Sequence, residues 1–135
     1  MINQEAKDLL LKDICARLPY GVKVHTNVPY FDLDTGELIE CEESDQILDI
    51  ADIDLLLNDC GEFKPYLRPM SNMTEDEDCV YQQMLKDIHY KPRPSTSLKL
   101  IDWLNAHYFD YNYLIDKGLA LEAPADMYPH DEELY

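Results

Sequence analysis

The spacing of hydrophobic and polar positions divides the chain into elements. After Asn3, a capping residue, Ala6, Leu9, Leu10, Ile14 and Leu18 recur at helical spacing, with Lys7, Asp8, Lys12 and Asp13 mainly opposite. Pro19-Tyr20-Gly21 stops that helix. From Val22 to Val28 the period becomes two, which predicts a half-buried strand with Val22, Val24 and Val28 on one face and His25 on the other. Asp34-Thr35-Gly36 lies between two strand-like runs and predicts a hairpin, with Gly36 at the positive-φ position. A third strand is expected through Gln46 to Ile50, and Asp52 to Asn58 reads equally as a helical turn or a strand. Lys64 to Met70 has prolines at 65 and 69, which bar a helix interior, so it reads as a connector across the core.

The second half is helical in pattern. Thr74 to Glu77 is a capping box, and Val80, Tyr81, Met84, Leu85 and Ile88 continue as an inward stripe. Lys91-Pro92-Arg93-Pro94 breaks the run. Ser95 or Ser97 then caps a further helix with Leu98, Ile101, Leu104 and Trp103 facing inward. A short third helix is expected from Asp110 to Lys117, ending at Gly118. The expected fold is a single α+β domain over residues 1–125, followed by a flexible acidic tail at 126–135. It has an N-terminal helix, a small antiparallel sheet of two to four strands and three C-terminal helices.

Charge changes this picture. The chain of 135 residues carries 28 acids against 11 Lys and Arg, a net −17. Such a field repels nucleic-acid phosphates and anionic lipid and attracts basic proteins, so neither nucleic acid nor membrane is an expected partner. The start holds acids where a secretory signal needs bases, and no apolar run reaches the ~18 to 20 residues of a membrane span, so a cytoplasmic location is expected. Cys15, Cys41, Cys60 and Cys79 are widely spaced and read as partly buried thiols, with no metal or redox pairing.

The acids are concentrated. Residues 31–63 hold twelve of them and no Lys or Arg, whereas 1–30 sum to +1 and 64–135 to −6. On a strand, Glu40 and Glu42 stand roughly 7 Å apart, a spacing like that of phosphates along a nucleic acid. The run therefore reads either as a solvated sheet face or as a surface for a basic partner, with Glu40, Glu42, Glu43, Asp45 and Asp49 as the candidate contacts. Asp32 to Glu43 has some of the spacing of a calcium loop, but its residues fit a hairpin turn better. Five aromatics crowd into residues 103–113 and cannot all turn inward, which makes Tyr108, Tyr111 and Tyr113 candidate contacts too. His107 and Asp110, three apart, could be a base and its orienter, but no nucleophile accompanies them. Catalytic, cofactor and metal residues are therefore not assigned.

Two segments, KPYLRPMSNMTEDE (Lys64 to Glu77) and IDWLNAHYFDYNYLIDKGLALEAP (Ile101 to Pro124), resemble a family of small uncharacterised proteins of gut bacteria and their phages or mobile elements. Arg17 to Val22 resembles the N-terminal segment of the same family. The resemblance implies a cytosolic phage or mobile-element setting and brings no activity. The expected function is a non-catalytic acidic interaction module that meets a basic surface of a host or phage protein. In its sharper form it is a DNA-mimicking inhibitor of a basic nucleic-acid-binding site. The alternatives are a small metal-dependent or His/Asp hydrolase, and a virion or assembly component.

Overall fold

In the computed structural model, residues 3–31, 33–58 and 62–128 are described, with the side chains of 28–31 and 38–43 outside the described set. Asn3 accepts the Ala6 N–H and starts α1, Gln4–Arg17. Leu10 and Ile14 of α1 enter the core, with Ala6 and Leu9 packed beside them. The opposite side is less solvated than its charges suggest. Asp13 and Arg17 are fully buried as an ion pair, and Lys7 is buried with its Nζ donating to Leu57 O at 3.0 Å.

Strand β1, Lys23–Phe31, pairs antiparallel with β2, Leu38–Ile47, across a hairpin in which Gly36 has φ 73°. Residues 46 and 47 belong to β2, so no separate third strand starts at Gln46. The undecided stretch is α2, Ile50–Leu57, because Asp49 and Asp52 form a reciprocal capping box. A polar relay ties α2 to the sheet. Thr26 Oγ1 and Ser44 Oγ lie 2.9 Å apart, and Gln46 Nε2 donates to Asp52 Oδ1 at 2.8 Å.

The expected connector is a strand, β3, Glu62–Leu67, antiparallel to β1. Proline normally removes a ladder bond in such a place. Here Leu67 O accepts the Ala123 N–H from the β4 side. By the alternation of strand hydrogen bonds, Pro65 turns its N to that same side. Strand β4, Leu121–Glu122, pairs in parallel only with Tyr66 and Leu67. Pro65 therefore forfeits no bond. Among the described residues the sheet is four-stranded and mixed, in the order β2-β1-β3-β4, where an antiparallel sheet was expected.

Thr74 and Glu77 cap α3, Glu75–Tyr90, as expected. Helix α4, Pro94–Ala106, starts one residue before Ser95, because Pro94 takes the first helical position and Arg93 the cap. The third expected C-terminal helix is absent. Residues 111–118 form successive turns, since Asp110 draws the Leu114 and Ile115 N–H groups onto its own carboxylate and Tyr113 adopts φ 57°.

Leu10, Ile14, Val22, Val24, Phe63, Leu67 and Leu114 share one core cluster, so α1 and the 111–120 turns cover one sheet face. The expected inward stripe on α3 is largely unburied: Val80 and Leu85 are exposed, as are Leu98 and Ile101 of α4. Of the tail expected at 126–135, residues 129–135 lie outside the described residues; Tyr128 is buried, and its hydroxyl accepts the Lys23 N–H and donates to Tyr66 O. It spans the gap between β1 and β3 beyond the Val24–Pro65 pair. No helix among the described residues is long and apolar enough to cross a membrane.

Candidate functional site

Among the described residues, strand β2 is an edge of the sheet, paired with β1 on one side only. Its ten residues include Glu40, Glu42, Glu43 and Asp45 and no Lys or Arg. Register sets Glu40 opposite Tyr30, Glu42 opposite Val28 and Glu43 opposite Asn27. The side chains of those three glutamates lie outside the described residues, as does Asp32 of the calcium-loop reading. Asp49 is exposed but structural, since its carboxylate caps α2 by accepting the Asp52 N–H.

Asp45 belongs to a cluster that crosses three strands on the solvated face. It stands opposite His25 on β1, with His25 Nδ1 and Asp45 Oδ1 2.7 Å apart. Tyr66 of β3 donates its hydroxyl to the same oxygen at 2.9 Å, and the His25 and Tyr66 rings meet edge to face. An ionised carboxylate only accepts, so His25 Nδ1 is the donor of this contact. Hydrogen bonds from His25 and then Tyr66 hold the Asp45 carboxyl below the usual carboxylate range. Burial, then the adjoining Asp45, raise the Tyr66 phenol above its ordinary value. The arrangement keeps Asp45 ionised and fixed in place at the acidic edge. Period-two alternation on β1 foretold His25 on this face, but Tyr66 was hidden by the connector reading of its segment.

The aromatic candidates separate. Tyr108 stacks on Tyr128 at 3.7 Å and gives its hydroxyl to Tyr20 O. Tyr111 lies under the Arg17 guanidinium and donates to Asn105 Oδ1 at 2.8 Å. Burial raises both phenols. Tyr113 is exposed, which leaves it the most accessible of the three.

His107 and Asp110 are buried. His107 Nδ1 lies 2.7 Å from Trp103 O and its ring packs against Trp103, while both Asp110 oxygens serve the following turn. Among the described residues, no group of three His, Cys, Asp or Glu side chains could hold a metal ion. Cys15 and Cys79 are free and exposed, not partly buried as expected, and the side chains of Cys41 and Cys60 lie outside the described residues.

The end of α1, the segment after β3 and the segment after α4 meet at Phe109. Arg17 Nη2 donates to Phe109 O at 2.7 Å, and the Arg68 guanidinium lies 4.3 Å above the Phe109 ring. Arg68 also grips Glu77 through two nitrogens. These residues form the joint between sheet and helices. Compared with protein-family models, curated proteins and solved structures, the chain matches none.

Proposed function

We propose that the protein is a non-catalytic interaction module whose acidic edge strand β2 engages a basic surface of another protein. The observation that carries this reading is the placement of the base-free run: it forms an open sheet edge with four acids in ten residues. An open edge offers main-chain groups to an added strand, and acids along it select a basic one. Asp45, kept ionised by His25 and Tyr66, supplies a fixed charge on that edge. The family resemblance makes a host or phage protein the proposed partner. Its basic nucleic-acid-binding site is the form of target that the net charge of −17 favours most.

The test is capture of partners from host lysate with the triple variant Glu40→Lys, Glu42→Lys, Glu43→Lys. Capture should fall to background, and wild-type capture should weaken as salt rises. Undiminished capture by the triple variant sinks the proposal.

A further inference from the structure

The open side of β2 has a definite hydrogen-bonding pattern, which narrows the kind of partner that fits it. Main-chain groups of successive strand residues point to opposite sides. Leu48 N donates to Val22 O at 2.9 Å, so those two residues face each other. Gln46 faces Val24 and Ser44 faces Thr26 in the same phase. The N–H and C=O of Glu43, Asp45 and Ile47 are therefore turned away from β1. Lys23 keeps the phase on the far side of β1, where its N–H goes to Tyr128 rather than to β2. Donors and acceptors thus alternate along the edge, with no strand among the described residues to take them. Main-chain groups left open in this way accept an added strand.

Side chains decide which strand. Asp45 and Ile47, two apart, share the solvated face, where the Asp45 side chain is 55% exposed and Ile47 59%. His25 and Tyr66 both bond to Asp45 Oδ1, and Oδ2 has no partner among the described residues. On the other face, Ser44 and Gln46 engage Thr26 and Asp52, so that face reads little of an incoming sequence. Pairing with the β2 of a second copy is opposed, because acids would stand against acids. We propose that β2 receives an extended segment of a basic protein as an outer, antiparallel strand. This rests on the reading of β2 as an edge for a basic partner, and names how that partner binds. Opposite Ile47 the segment carries an apolar residue, and opposite Asp45 a Lys or Arg that takes the open Oδ2. Glu43 is the next alternate position, so a second base follows, and the pattern is apolar–x–basic–x–basic.

The peptide acetyl-TTVTKTKTT-amide, and the same peptide N-methylated at both lysines, separate strand addition from charge attraction alone. A residue directly opposite Asp45 in this pairing exchanges both main-chain bonds with it, so N-methyl groups block the pairing and keep the charges. Titrated against the full chain to about 1 mM, the first peptide should bind, and methylation should weaken it about tenfold or more. On binding, amide exchange at Glu43, Asp45 and Ile47 should slow, whereas Ser44 and Gln46, already turned to β1, should not change. Asp45→Asn should weaken the first peptide several-fold and leave the circular dichroism as in the wild type. Equal binding of both peptides, weakened by salt, overturns strand addition and leaves β2 as a charged surface for a basic partner. Slowed exchange elsewhere, or no binding of either peptide, also overturns it, and the lysate capture then decides the broader reading.

Discussion

Arg17 is the residue whose role differs most from its appearance in the sequence. At the end of an amphipathic helix it reads as a surface cation that favours the helix C-terminus. It is instead buried, with Nε 2.6 Å from Asp13 Oδ1 and Nη2 on Phe109 O, while Asn112 Nδ2 donates to Asp13 Oδ2. A buried pair contributes little relative to apolar residues of equal size, but half of it is costly. Asp13→Ala should therefore destabilise by about 3–5 kcal/mol, whereas Asp13→Leu with Arg17→Met should cost much less than the two single changes summed. Urea unfolding of Asp13→Ala and of the four chains of the Asp13→Leu, Arg17→Met cycle checks this, and an additive cycle would refute it. The burial was not legible because periodicity reports neighbours in sequence, and Phe109 lies 92 positions away. His25 was legible as an outward residue, and its partner Tyr66 was not.

At the level of elements, what could be read was what local chemistry decides. The cap at Asn3, the alternation in β1, Gly36 in the hairpin and the Thr74–Glu77 box each name their element within a few residues. Strand β3 and the 111–118 turns escaped because tertiary context overrode local signals. Pro65 is tolerated only because β4 is so short, and Asp110 turns a helical pattern into stacked turns. The box at the start of α3 does more than cap. Glu77 accepts the Thr74 N–H and two bonds from Arg68, so it also joins α3 to the end of β3. Burial pushes its carboxyl up, but the hydrogen bonds from Arg68 and Thr74 outweigh it and bring the pKa to about 2, from an ordinary 4.5. A depressed folded value stabilises above the unfolded one, so this contribution is full above pH 4.5 and fades as pH falls toward 2. Thermal melts should show wild type and Glu77→Gln converging over that interval, with the wild type higher at neutral pH. A constant gap would disprove the assignment.

For the molecule as a whole, charge is distributed as unevenly as hydrophobicity. The base-free run spans the β1–β2 turn, β2 and α2, and the excess of bases sits around the turn between α3 and α4. Composition gave the size of the imbalance, but only the fold separates an acidic edge from a basic turn. A single hydroxyl also ties two strands together. Tyr128 bridges Lys23 N and Tyr66 O, 105 and 62 positions away, where the ladder between β1 and β3 would otherwise lack a rung. Contacts that close such long loops are late to form, because chain entropy opposes them until the rest is in place. Tyr128→Phe leaves both main-chain groups without that partner and should cost about 1–3 kcal/mol. In stopped-flow experiments nearly all of that loss should appear as faster unfolding, with refolding unchanged. A slower refolding arm would instead place Tyr128 in the folding nucleus. The hydroxyl then acts as a latch on the finished sheet, setting how long the native protein lasts rather than how quickly it is made.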